Sequence, residues 1–255
     1  MSGLTDGSLR IATFNIRYDN RADGDHSWGR RRSAVRQCIE DLRCDVLGLQ
    51  EVLPAQRRYL RSRLRAMQWY GVGRDDGRRR GEQSPVLVRR YAFEVTDWRT
   101  VWLSSTPEVA GSTGVDTTIP RIATVVRGRV ASREIGVLNT HFDHRGTRAR
   151  EQAAEQIARL VSDGSRAWVV CGDFNVSLGD GAMQTLTRAG LRSVLADDAH
   201  GTFHAFTGSV DGQRIDHILV DDEWVIDEAY IDTSRPGGII PSDHWPVLAA
   251  LSLRG

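Results

Sequence analysis

Acidic, amide and imidazole side chains gather at the ends of six short apolar runs: Thr13-Phe14-Asn15, Leu49-Gln50-Glu51, Asn139-Thr140-His141, Gly172-Asp173-Phe174-Asn175, Arg214-Ile215-Asp216 and Ser242-Asp243-His244. A single Asn or Asp in such a place is most often a turn former, because its short side chain bonds back to its own backbone. Six together read differently. Carboxylates with an Asn amide are hard oxygen donors suited to Mg2+ or Mn2+, and histidines beside carboxylates are oriented proton carriers. Phosphoryl chemistry needs that pairing. A divalent ion neutralises phosphate oxygens, a carboxylate prepares water for in-line attack, and imidazolium or amide donors hold the pentavalent transition state.

The elements that must position these groups are short β-type runs: Leu9 to Ile16, Asp45 to Leu49, Val86 to Arg90, Ile122 to Val130, Ile135 to Asn139, Ala167 to Cys171, Ile215 to Val220 and Val247 to Leu251. Helical spacing of apolar residues marks Arg31 to Leu42, Pro54 to Met67 and Thr147 to Val161. Residues 84 to 140 read as consecutive strands, which favours a mixed or antiparallel arrangement over a doubly wound parallel sheet. Strand alternation puts Asn139, His141 and Asp143 on one face, and Asp173 and Asn175 on one face with Phe174 turned to the core. It also makes Asp216 the site candidate and His217 a packing histidine. Asp243 and His244 share a site only where the chain is irregular, which Pro241 and Pro246 permit.

Composition narrows the classes. The chain has 255 residues, 40% hydrophobic and 26% charged, ordinary values for a globular protein that needs no metal or disulfide merely to fold. A net charge of +1 lacks the long-range field of a nonspecific nucleic-acid binder. All basic residues are Arg, so a Lys nucleophile or Schiff base is excluded. Cys38, Cys44 and Cys171 form no CxxC pair and read as structural thiols, and no leader or membrane span is evident, so a reducing cytoplasm is expected. Residues 1–8 read as a polar tail and 9–255 as a single domain, expected as a monomer. The Arg57 to Arg65 cluster reads as a solvated helix face, and Arg78 to Arg80 as a loop able to contact phosphate. Gly71-x-Gly73 lacks the third glycine of a dinucleotide fingerprint, the Asp19 to Arg30 segment lacks the final Glu of an EF-hand, and no GxSxG elbow occurs. A zinc site on His141-x-x-His144 is weak, since alternation separates the two rings.

ATFNIRYDN, DVLGLQEV, LNTHFDHRG, VVCGDFNV, RIDHILV and SDHWPVLA together resemble the endonuclease/exonuclease/phosphatase superfamily over nearly the whole chain. The resemblance implies a four-layer α/β sandwich, two mixed sheets packed face to face with helices outside, and a cleft at one edge. It implies Glu51 as the main Mg2+ ligand, with Mn2+ a possible substitute, and Asn15 and Asp243 beside it. Asp173 would activate water, Asn175 would donate to the scissile phosphate, and His244 would contact phosphate oxygens with Asp216 as its partner. His141 would stabilise the transition state or assist the leaving group. Finer similarity in FNIRYDN, YGVGRDDG, WLSSTPEV, PRIATVV and THFDHRGTRARE points to a bacterial subgroup, and singles out Arg17, His26, Trp28, Arg121, His144 and Arg148 as substrate contacts, with Arg121 the preferred phosphate clamp. The expected activity is metal-dependent phosphodiester hydrolysis on a small molecule, sugar or lipid headgroup. The alternatives are a DNA or RNA nuclease and a catalytically silent binding module of the same fold.

Overall fold

The computed structural model describes residues 7–162 and 166–255. Its strands are β1 (Ser8–Asn15), β2 (Val46–Gln50), β3 (Met67–Tyr70), β4 (Val86–Arg89), β5 (Glu94–Trp102), β6 (Ile122–Val130), β7 (Arg133–His141), β8 (Ala167–Asp173), β9 (Arg192–Ser193), β10 (Asp216–Val220), β11 (Trp224–Ile231) and β12 (Val247–Leu253). The helices are α1 (Trp28–Asp41), α2 (Pro54–Arg61), α3 (Thr147–Val161) and α4 (Gly181–Arg188). One sheet runs β11-β12-β1-β2-β4-β3 and the other β5-β6-β7-β8-β10-β9. Both are mixed: β1 and β2 are parallel, as are β7 and β8, and the other strand pairs of the two sheets are antiparallel. The expected residues 1–8 tail lies outside the described residues except for Gly7 and Ser8, and Ser8 already pairs with Ser252.

Period-two alternation sorts each strand between two apolar layers. Leu9, Ile11, Val46, Val137, Val169, Cys171 and Ile218 face the other sheet. Phe14, Leu47 and Leu49 face the outer layer with Val35, Ile39 and Leu60 of α1 and α2. Leu138 and Val170 likewise meet Ala153, Ile157, Met183 and Leu186 of α3 and α4. The result is the helix, sheet, sheet, helix sandwich that the sequence implied. Gly48 marks how closely the sheets approach, since a Cβ there would come within 2.7 Å of Asn139 Oδ1 and Cys171 Sγ.

The same alternation builds the site. Parallel pairs need crossovers, which α1 and α3 supply, so β1 and β2 end together at one edge of the sandwich and β7 and β8 do likewise. At that edge the inter-sheet positions turn polar: Thr13 and Asn15 of β1, Gln50 of β2, Asn139 and His141 of β7, and Asp173 of β8. Asn139 stitches the sheets, donating to Leu49 O at 2.8 Å and Pro85 O at 2.9 Å while accepting from Gln50 at 2.6 Å. Beyond it the face is left to the side chains described next.

One expected element differs. The helix expected over Pro54 to Met67 stops at Arg61, and Met67 opens β3, pairing with Arg89. Gly181 opens α4, because Asp180 accepts from the Ala182 N–H at 2.9 Å as an N-cap.

Candidate active site

Asp173 sits at the centre. It pairs in register with His141 on β7 and with Asp216 on β10, so three functional residues meet across neighbouring strands. Its Oδ2 accepts from Asn15 Nδ2 at 2.9 Å and lies 3.5 Å from His141 Nε2 and 3.8 Å from His244 Nε2. Its Oδ1 accepts from the Asn175 N–H at 2.9 Å. Asp173 is 1% exposed. Burial, then the negative charge of Asp216, raises its carboxyl above the ordinary value, with Glu51 adding to the shift.

His244 is reached from an irregular segment ahead of β12, as Pro241 and Pro246 allow. Asp216 Oδ2 holds its Nδ1 at 2.8 Å, which leaves Nε2 toward Asp173. Burial works against charge on the ring, yet Asp216 and Asp173 outweigh it and hold the imidazolium well above the usual histidine value. His141 goes the other way: burial, then Arg121 and Arg74, push it well below, so its ring is neutral. His217 faces away, bonded to Val176 O at 3.0 Å against Phe174, and burial lowers it to about 4.

Glu51 follows β2 in the left-handed region at φ 61°, and Asn175 follows β8 at φ 57°. That conformation strains a residue with a Cβ, and here it aims each side chain back over its strand end. Glu51 Oε1 accepts from Asn15 Nδ2 at 3.1 Å and Oε2 from the Tyr18 N–H at 2.9 Å. The Asn15 amide therefore bridges Glu51 and Asp173, while its oxygen accepts from the Arg17 N–H at 2.9 Å. Asn175 Nδ2 is anchored to Phe142 O at 3.0 Å. Asp243 lies 3.8 Å from Arg17 Nε.

These residues line a cavity of about 670 Å³: Glu51, His141, Asp173, Asn175, Asp243 and His244, joined by Arg17, Arg121 and His144. Among the expected substrate contacts three stand apart from it. Trp28, 6% exposed, packs in the outer core with its ring edge on Tyr59. His26 stacks on Phe206 at 4.4 Å, and Arg148 is exposed at the start of α3. Arg78 to Arg80 also lie outside the cavity, their backbone N–H groups gathered on Asp76 Oδ1.

Sequence reading missed several residues. Arg74 and Glu82 line the cavity as a bidentate pair, both contacts 2.9 Å. Arg31, 1% exposed, donates to Arg17 O at 2.7 Å, His26 O at 2.9 Å and Pro241 O at 3.1 Å, pinning the segments that carry Arg17 and Asp243. Gln56 does the same from α2, donating to Arg17 O at 2.8 Å. The YGVGRDDG motif held Arg74, but nothing in the local spacing separates it from Arg78 to Arg80.

The donor set fits a divalent cation. Glu51, Asp173 and Asp243 bring carboxylates to one cavity, and a cation there would offset both the burial and the negative charge of Asp216 that raise the Asp173 carboxyl. Asp173, Asp216 and His244 also have ligand atoms within 4.8 Å of one another. Within that trio Asp216 Oδ2 already takes His244 Nδ1 at 2.8 Å.

The family sequence model described as Endonuclease/Exonuclease/phosphatase family matches residues 12–244. No curated protein matches the chain. Among solved structures, an endonuclease/exonuclease/phosphatase from Bacteroides vulgatus is 37% identical with a TM-score of 0.90, covering 97% of this chain and 99% of that one. A mannosyl-6-phosphatase from Bacteroides thetaiotaomicron is 29% identical with a TM-score of 0.87, covering 96% and 100%. TDP2 of D. rerio, complexed with single-strand DNA product, is 14% identical with a TM-score of 0.76, covering 97% and 100%, a likeness of fold alone. The match over residues 12–244 and the shared sandwich make the chain a member of the endonuclease/exonuclease/phosphatase family, whose members are phosphoesterases and nucleases dependent on a divalent metal.

Proposed function

We propose that the chain is a Mg2+-dependent phosphoesterase that cleaves the P–O bond of a small phosphate ester by in-line attack of water. The observation that carries the reading is the Asp216–His244–Asp173 arrangement, a charged imidazole and a raised carboxylate facing one cavity. Asp173, with its carboxyl raised by burial, is a stronger base than an exposed carboxylate, and takes the proton of the attacking water. His244, charged and oriented by Asp216, donates from Nε2 to a phosphate oxygen. Asn175 offers its remaining amide N–H to the same group. His141 is neutral and donates a hydrogen bond toward the leaving oxygen.

Glu51 would hold the ion as principal ligand, with Asn15 and Asp243 beside it, and Mg2+ is favoured by the oxygen donors, with Mn2+ as substitute. When bound, the ion supplies Lewis-acid charge that neutralises the phosphate oxygens. The substrate class is a diester or monoester of a small molecule, sugar or lipid headgroup. A cavity of about 670 Å³ suits such a group. The Bacteroides thetaiotaomicron mannosyl-6-phosphatase, similar over nearly its whole length, supports a sugar phosphate. No helix among the described residues is long and apolar enough to cross a membrane.

Hydrolysis of aryl phosphate esters with Mg2+, Mn2+ or a chelator tests the reading. Turnover is expected only with a divalent ion, and Glu51→Gln is expected to weaken ion binding measured by calorimetry and to lower turnover at least ~100-fold. Full turnover in chelator, or in Glu51→Gln, would overturn it.

A further inference from the structure

Arg121, just ahead of β6, is a buried guanidinium with too few partners. It is 6% exposed and lines the cavity. Its Nε lies 3.5 Å from Asp143 Oδ2, its Nη2 pairs with His144 Nδ1 at 3.1 Å, and Nη1 has no partner. Asp143 is already occupied. Its Oδ1 accepts from the N–H groups of Arg145 and Gly146, and its Oδ2 from Thr117 Oγ1 at 2.7 Å. Burial and the nearby Arg74 both weaken the Arg121 charge. An unpaired buried cationic nitrogen is costly, and beside a polar cavity it calls for an anion.

Two neighbours extend this wall. Arg74 uses both terminal nitrogens on Glu82, and its buried Nε makes no hydrogen bond, lying 4.0 Å from Asp75 Oδ1. A guanidinium only donates, so His144 Nδ1 must accept, and the ring carries its proton on Nε2. That exposed ring also lines the cavity.

We infer that Arg121, backed by Arg74 and His144, recognises the third unesterified oxygen of a phosphomonoester, so that monoesters are the preferred substrate class. The inference rests on the phosphoesterase reading above. A diester has two unesterified oxygens and one charge, whereas a monoester at neutral pH has three and close to two, its second pKa being about 6. Asn175, His244 and a divalent ion engage two oxygens, and the arginine wall gains a ligand only when a third is present. Nη1 is shielded in the present conformation, so the guanidinium turns toward the cavity as the anion arrives. The long contact to an already occupied Asp143 does little to oppose that turn.

The test pairs an aryl phosphate with the matching methyl aryl diester, and adds calorimetry of inorganic phosphate with Mg2+, in wild type, Arg121→Gln and His144→Ala. Wild type is expected to favour the monoester in kcat/KM at least ~10-fold. Arg121→Gln is expected to weaken phosphate binding ~10- to 100-fold, the range of a charge-assisted hydrogen bond, and to narrow the monoester to diester ratio by at least ~10-fold. His144→Ala alters an exposed ring and so folds even where Arg121→Gln does not. It is expected to shift both readouts the same way, by ~3- to 5-fold. A wild type that prefers the diester, equal losses on both esters, or phosphate affinity untouched by either variant would overturn the inference and leave the phosphoesterase reading intact. Failure to turn over either ester with Mg2+ would overturn that reading, and the monoester preference with it.

Discussion

The two ends of the sandwich use the same backbone conformation for opposite purposes. At the end away from the cavity, Arg43, Tyr91 and Ala131 adopt left-handed φ values of 48°, 69° and 53° in the connections between strands. Tyr91 is 94% exposed there, in the turn that carries the chain from β4 of one sheet to β5 of the other. At the cavity end Arg17, Glu51 and Asn175 adopt φ values of 54°, 61° and 57°. Each of these carries a polar side chain that neighbours hold in place: Arg17 on Asp23, Glu51 on Asn15, and Asn175 on Phe142 O. Strain alone therefore marks a turn. Strain joined to a held polar group over converging strand ends marks a site.

Breaking the cavity end should cost activity before stability. Asp216→Asn removes the anion that charges and orients His244. Turnover is expected to fall ~100- to 1,000-fold, read from kcat with substrate saturating, and retention of wild-type kcat would remove His244 from the chemistry. Asn175→Gly relieves the left-handed strain but deletes a phosphate donor, so kcat is expected to fall ~100-fold while the melting temperature holds. Ala131→Gly relieves the same strain at the other end. There the expected outcome is ~0.5–1 kcal/mol of added stability in a urea melt and unchanged kcat. A matching loss of activity would erase the contrast between the ends.

Buried histidines sharpen it further. His217 and His204 are held near 4 by burial, against about 6.5 when unfolded. Between these values the unfolded chain binds protons that the folded chain refuses. Their contribution is complete above pH 6.5, declines as pH falls toward 4, and is lost below it. His217→Gln, which can keep the bond to Val176 O, is expected to flatten this acid limb in melts across pH 4–7. An unaltered limb would remove His217 as a cause.

The candidate residues that the structure brings together were legible because strand alternation and apolar runs are local signals. Asn15, Asp173, Asp216 and His244 each ended or adjoined a readable run, and the central strands followed from their β-branched composition. Arg31, Arg74 and Glu82 were hidden, since their meaning depends on which loops fold over the strand ends. Trp28 looked like a substrate contact by type, yet its place on the inward stripe of α1 commits it to the outer core. The stop of α2 at Arg61 was equally illegible, because β3 pairing with β4 overrides a helical spacing that continues to Met67.

The most direct test of the central claim is phosphate-ester turnover with Mg2+ in wild type and Asp173→Asn, with the melting temperature of each measured alongside. The account predicts a loss of at least ~1,000-fold with a melting temperature equal to or above wild type, since the variant removes a buried carboxyl whose charge is disfavoured. Turnover within a few fold of wild type in a folded Asp173→Asn would contradict it.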